Sequence, residues 1–193
     1  MFHMSNDSGL FHVREQLEAQ GYELQGNRFV KGEQVYLPLY EAKMMHQFDH
    51  RFATYTEAGD TRNVTSEEKA DPSYAPLPRY WVAKREVASK HENRRPFFVS
   101  YRRFGPGTNE RSIIAKASPI VGYGDSEFLI DVDQQDGVDP LVLVSNLNSF
   151  AFDYLARSKI GGTNITFYAL KQLPLVPPSL RMTSEAITCR AYE

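Results

Sequence analysis

With 193 residues, 41% of them apolar and 24% charged, the chain is long enough to bury an ordinary core, and disorder is excluded as its default state. No apolar run nears the roughly 20 residues needed to span a bilayer. Residues 1–7 lack the basic start of a signal peptide, and the lone Cys189 excludes an internal disulfide or a cysteine-based zinc site, so a cytoplasmic setting is expected.

The first expected element is a short amphipathic helix over 11–20, with Phe11, Val13 and Leu17 set among charged residues and Gly21 at its C-cap. Residues 22–40 alternate apolar and polar and are broken at Gly26-Asn27 and Lys31-Gly32, which predicts two short strands joined by turns, with a further extended segment beginning at Leu37. From 57 to 78 apolar periodicity vanishes and turn residues accumulate, predicting a mobile surface loop inside the domain. Residues 97–101 and 112–115 read as strands flanking a Gly105-Pro106-Gly107 turn, and 128–132 and 141–144 as further strands. The clearest helix covers 146–159, where Leu147, Phe150, Ala151, Tyr154 and Leu155 fall at i, i+3, i+4, i+7 and i+8 on one apolar face. Gly161-Gly162 ends it, and 164–170 reads as a closing strand. Pro174, Pro177 and Pro178 then stop regular structure before a tail, 179–193, expected to be partly disordered. The expectation is a single domain over 1–178.

The net charge of −2 is unevenly spread. Residues 1–78 hold 7 Lys/Arg against 12 Asp/Glu, residues 79–116 hold 10 against 3, and residues 117–193 hold 5 against 9. Positive charge is therefore concentrated in the middle, as an anionic partner would require, although a solvated basic face would look the same. The central cations Arg79, Lys84, Arg85, Lys90, Arg94, Arg95, Arg102, Arg103, Arg111 and Lys116 alternate with Tyr80, Trp81, Phe97, Phe98, Tyr101 and Phe104. Strand alternation puts the aromatics into a core and leaves the cations outside to neutralise phosphates or to grip guanine edges. Lys159 to Asn164 form a second candidate: Gly161 and Gly162 permit close backbone approach, and Lys159, Thr163 and Asn164 can donate to phosphate, while a plain helix C-cap and turn would use the same residues.

Catalytic constellations are weaker. Glu41-Ala42-Lys43 has the Glu-x-Lys form of a metal-dependent nuclease, but no further carboxylate is marked as its partner. His46, Asp49 and His50 have i, i+3, i+4 spacing without a further ligand. No Ser/His/Asp arrangement or phosphate-cradling glycine loop is present.

Three stretches taken together, LYEAKMMHQFDHRF (39–52), PRYWVAKREV (78–87) with RRFGPGTNERSIIAKASP (102–119), and NLNSFAFDYLARSKIGGTNITFYALKQLPLVPP (146–178), carry a family likeness that extends to the opening FHMSNDSGLF. They resemble the region that follows the catalytic domain in large adenine-specific DNA methyltransferases, including type IIG restriction–modification enzymes and the methyltransferases of phage-defence systems. The last stretch is also similar to the end of target-recognition domains in type I specificity subunits. The catalytic half of that family is missing: Asp71-Pro72-Ser73-Tyr74 has Ser73 in place of the second proline of an Asn-Pro-Pro-Tyr motif, and no glycine-rich turn precedes it.

The resemblance implies an α+β target-recognition domain, a twisted and mostly antiparallel sheet with a few packed helices. Its partners would be double-stranded DNA and a methyltransferase catalytic domain, with S-adenosylmethionine bound on that other domain and no cofactor here. It places Lys43 on the leading strand as a DNA contact, beside Arg79, Lys84, Arg94, Arg95, Arg102, Arg103, Arg111, Lys159, Thr163 and Asn164. The alternative is a fragment that docks on a methyltransferase without touching DNA.

Overall fold

A computed structural model describes residues 1–90, 97–132 and 139–176. It is an α+β chain whose strands pair mostly antiparallel among the described residues. Where the sequence reading treats 1–178 as one domain, chain contacts gather the described residues into two compact units. One holds 1–45, 51–90 and 120–127; the other holds 46–50, 97–119, 128–132 and 139–176. The expected tail, 179–193, lies outside the described residues, as do Arg94 and Arg95. No helix among the described residues is long and apolar enough to cross a membrane.

The first unit begins with α1 (Arg14–Ala19) and a meander of β1 (Glu23–Gln25), β2 (Arg28–Lys31) and β3 (Gln34–Tyr40). The extended segment expected from Leu37 begins earlier, at Gln34, and makes a third strand; both two-residue turns place glycine first at positive φ, Gly26 at 63° and Gly32 at 57°. That is the backbone a tight Gly-x hairpin needs. β6 (Tyr80–Ala83) joins β3 antiparallel, and the short β9 (Gly122–Tyr123) joins it in parallel. Alternation then sorts the side chains. Leu37, Leu39 and Val82 face Phe2 and Val87, the latter from α3 (Lys84–Lys90), whereas Phe29 and Trp81 face Leu17 and Tyr22. The Trp81 indole donates to the Asn27 carbonyl at 2.8 Å, and the Asn27 amide donates to the Tyr40 hydroxyl at 2.8 Å, so the one tryptophan is fastened to the first hairpin turn.

The stretch expected as a loop over 57–78 is better ordered than its composition implies. β4 (Ala53–Tyr55) and β5 (Thr61–Asn63) form a hairpin, Val64 is buried, and α2 (Ser66–Ala70) follows. α2 starts with a reciprocal cap: the Thr65 hydroxyl accepts from the Glu68 N–H, and the Glu68 carboxylate accepts from the Thr65 N–H at 2.9 Å. Arg62 grips Glu68 with both terminal nitrogens, and Arg51 donates to the carbonyls of Lys69, Asp71 and Tyr74. Polar cross-links hold this segment where apolar periodicity is missing.

In the second unit β7 (Phe97–Arg102) lies between β10 (Glu127–Ile130) and β8 (Ala115–Pro119). Val99, Tyr101 and Ile113 pack against Leu143 and Leu147 of α4 (Pro140–Leu147), against Phe152 and Ala156 of α5 (Phe150–Lys159), and against Ile165. Several expectations are corrected here. Residues 141–144 are helical, since Asp139 caps α4 with its carboxylate on the Leu141 N–H at 2.8 Å and Pro140 occupies the first turn. The single helix expected over 146–159 is divided at Asn148-Ser149. Ser149 caps α5, while the Asn148 side chain leaves the helix line and exchanges two hydrogen bonds with the Ala115 backbone, at 2.9 and 2.7 Å. Residues 167–170 are not a strand but a helical turn, α6 (Phe167–Leu170), capped by the Thr166 hydroxyl.

The face of α5 is also reversed. Phe150 and Tyr154, expected in the core, are 82% and 74% exposed, and Phe152, Asp153 and Ala156 point inward.

Candidate nucleic-acid interface

β7 does not stop at Arg102. Its backbone continues beside 163–165, where the Ile165 N–H donates to the Arg103 carbonyl at 2.7 Å, the Gly105 N–H donates to the Thr163 carbonyl at 2.9 Å, and Phe104 bridges Asn164 antiparallel. Gly105 makes this possible. A Cβ there would lie 1.9 Å from the Ser112 carbonyl oxygen, so only glycine lets the chain pass. The pairing brings Arg103 to Asn164, with the guanidinium Nε 3.4 Å from the amide oxygen. Lys159, Gly161, Gly162, Thr163 and Asn164 are all exposed. Of the expected DNA contacts, Arg103, Thr163 and Asn164 are thus gathered by direct pairing, and Lys159 ends the helix that leads into them.

Gly161 and Gly162 do not act as a helix cap. A glycine that caps a helix does so at positive φ. Here the cap position is Ile160, at φ −91° and ψ 98°, and neither glycine has a positive φ. A Cβ built on either meets no atom within 4 Å. The fold therefore has room for a side chain at both positions and imposes no need for glycine. Close approach of another molecule's backbone or phosphate is what the missing side chains permit.

Arg111 has a different role from the one expected. Its side chain is 11% exposed, it donates to the Asn148 carbonyl, and it lies 4.0 Å from the Asp153 carboxylate, with its guanidinium 4.1 Å from the Phe150 ring centre. It braces the interior of the second unit and does not face solvent. Lys116 is 1% exposed, with its ammonium against the Ser118 hydroxyl, so it too is withdrawn from any phosphate. Arg102 is half-buried at the end of β7. Asp153 organises this region. Burial alone would raise its pKa, yet the N–H groups of Ile113 and Ser112 and the guanidinium of Arg157 hold it below the ordinary carboxylate range. Arg157, not singled out from the sequence, also donates to the carbonyls of Gly107, Asn109 and Glu110, and so pins the turn between β7 and β8. Its i+4 spacing from Asp153 is the one signal that could have found it.

In the first unit Lys43, Arg79 and Lys84 are exposed, Lys43 standing not on a strand as expected but in a 3-10 turn, Ala42–Met44, just after β3. Lys43 lies 4.6 Å above the Tyr55 ring and 3.8 Å from Glu41, whose other oxygen accepts from the Tyr55 hydroxyl at 2.7 Å. Burial and this carboxylate together push the Tyr55 phenol well above its ordinary range. Glu41 is thus engaged within its own cluster, and no group of three or more His, Cys, Asp or Glu suited to a metal occurs among the described residues. Arg79 stacks over Tyr80 at 5.2 Å, and Lys84 stands on the rim of an apolar groove of about 630 Å³ floored by Val30, Val35, Leu37 and Val87. Arg85 pairs with Glu86, and Lys90 with Asp7 at 2.8 Å. His46 and Asp49 do not share a helix face but close a tight backbone bridge, and Asp71 to Tyr74 form a turn in which Ser73 donates twice to the Asp71 carboxylate.

No protein-family model, curated protein or solved structure matches the chain.

Proposed function

We propose that the chain is a duplex-DNA recognition module of an adenine-specific DNA methyltransferase or restriction–modification enzyme, non-catalytic by itself, with S-adenosylmethionine and the methyl-transfer site on another domain or chain. The observation that carries this reading is the strip from Lys159 to Asn164. Two glycines that the fold does not require stand between an exposed lysine and two exposed hydrogen-bond donors, with Arg103 3.4 Å from Asn164. A sugar–phosphate backbone is the partner such a strip suits: the glycines let it come close, the ammonium and guanidinium neutralise it, and the amide and hydroxyl fix its register. Lys43, Arg79 and Lys84 offer further cations on the first unit.

The test is fluorescence anisotropy of a labelled mixed-sequence duplex, titrated with the whole chain at several salt concentrations. Affinity should fall as salt rises, and Lys159→Ala and Arg103→Ala should each weaken binding uniformly across sequences. Binding that ignores both salt and these substitutions would remove the basis of the reading.

One observation favours the second reading, a fragment that docks on a methyltransferase without touching DNA. The outward face of α5 presents Phe150, Ala151, Tyr154, Leu155 and Ser158, an uncharged surface with two large aromatic rings in water. Exposed apolar groups clustered in this way are typical of docking surfaces. A docking module would bind a methyltransferase chain through this face, lose that binding with Tyr154→Glu, and show no salt-dependent affinity for DNA.

A further inference from the structure

One column of π groups crosses the second unit and ends in solvent. At its inner end the buried Tyr101 meets Phe128 and Phe167 edge-on, at 5.6 and 5.9 Å. Phe128 and Phe167 stack face to face, 4.6 Å apart and tilted by only 12°. The Arg103 guanidinium then lies over both neighbouring rings, 5.3 Å from the centre of Phe128 and 5.2 Å from that of Phe104. Phe104 is the last member, and 49% of its surface is exposed.

Its exposure does not come from a loose loop. The backbone at Phe104 is paired with Asn164, and its neighbour Gly105 is wedged against Ser112, so the ring is presented from a fixed position. A phenylalanine held in this way leaves half of its surface in water, beside a cation that draws π-electron density. A flat, electron-rich ring can complete the column by stacking on it. The strand that supports Phe104 is the same one that carries Thr163 and Asn164, next to the two open glycines.

We propose that Phe104 and Arg103 form a stacking platform for an unpaired nucleobase, whose own phosphate lies along the Lys159 to Asn164 strip. This rests on the DNA reading above and deepens it. The duplex is held through phosphates, and a base that leaves the stack is received on Phe104. A paired base cannot reach the platform, because both of its faces are covered by its neighbours.

The experiment measures affinity of the whole chain for a labelled mixed-sequence single strand and for the blunt duplex made from it, with an aminopurine base in the strand reporting stacking by loss of its fluorescence. Phe104→Ala should weaken single-strand binding about ten-fold and restore aminopurine emission, because one base–aromatic stack is lost. Duplex affinity and the salt slope should stay as in the wild type, since no charge is removed. Phe104→Trp, which keeps a stacking surface, should bind the single strand as the wild type does. Thermal melting of each variant checks that the fold survives. Equal losses for single strand and duplex, an unchanged single-strand affinity in Phe104→Ala, or a folded Phe104→Trp that binds no better than Phe104→Ala would each overturn the platform while leaving salt-sensitive duplex binding in place. A wild-type chain that binds neither form would overturn the DNA reading itself.

Discussion

Asp153→Ala is expected to destabilise the second unit severely. The carboxylate is buried in α5 and accepts from the Ser112 N–H at 2.8 Å, the Ile113 N–H at 2.7 Å and the Arg157 Nε at 2.9 Å, with Arg111 at 4.0 Å. Truncation strands two buried N–H groups, at about 1–3 kcal/mol each, and leaves two guanidinium groups without their counter-charge. A total of about 3–5 kcal/mol follows, in line with removal of one partner from a buried pair. For a chain of this length that corresponds to a melting temperature lower by roughly 10 °C. Asp153→Asn keeps an oxygen where both N–H groups point but turns an amide NH2 toward the Arg157 guanidinium in place of the accepting oxygen, so it should cost about 1–3 kcal/mol, less than alanine. Urea unfolding by circular dichroism gives the stabilities, and amide exchange at Ser112 and Ile113 localises the loss. An alanine variant within about 1 kcal/mol of the wild type, or an asparagine variant as damaged as alanine, would refute the argument.

Other expectations follow from single positions. Gly161→Val and Gly162→Val should leave the melting temperature unchanged, because a side chain meets nothing there, yet weaken duplex binding measured by anisotropy. Gly105→Ala should do the reverse of neutral: with a backbone oxygen 1.9 Å from the new methyl, a loss of about 3 kcal/mol or more is expected in urea unfolding. Glu68 is lowered from its ordinary 4.5 to about 2 by the Arg62 pair and the Thr65 N–H. Its depressed carboxylate therefore contributes stability that is complete above the ordinary value and is lost as pH falls toward about 2, which carboxyl NMR titration of the wild type and of Arg62→Ala would follow. In Arg62→Ala the midpoint should return toward its ordinary value.

Local backbone chemistry was the most legible part of the fold. Gly26 and Gly32 marked their turns, the Leu17 stripe marked α1, and 146–159 carried a helical period that α5 fills from Phe150 onward. The facing of α5 was not legible, because periodicity ranks positions by apolarity alone. The inward side of that helix carries Asp153, which is buried on account of its hydrogen bonds, and this left Phe150 and Tyr154 to face water. In the same way the Leu141 to Val144 run fits a buried strand or a buried helix equally well, and only the Asp139-Pro140 start decides between them. At the candidate interface, Lys159, Thr163 and Asn164 were found from residue type and glycine spacing. Their proximity to Arg103 depends on a strand pairing across 60 residues that no local pattern encodes. Alternation places Phe104 in the core with the other aromatics, since it cannot tell which ring ends a packed column.

Charge density along a chain is not charge density on a surface, and the salt dependence of DNA binding can measure the difference. If all ten cations of the central stretch met phosphates, log K would fall with log salt at a slope of about −9. Arg111 and Lys116 are turned inward, Arg85 and Lys90 are paired with Glu86 and Asp7, and Arg102 is half-buried. Of the expected DNA contacts among the described residues, Lys43, Arg79 and Lys84 on the first unit and Lys159 on the second are exposed, and Arg103 is half-buried and bonded to Asn164. If these are the groups that meet phosphate, both units together should give a slope of about −4 to −5, and the second unit acting alone about −1 to −2. Lys84→Ala discriminates between these cases: it lowers the slope by about one if both units engage and leaves it unchanged if only the second does. A slope near zero, with binding intact, would mean that phosphate neutralisation has no part in the interaction, and the outward rings of α5 would then be the surface to examine.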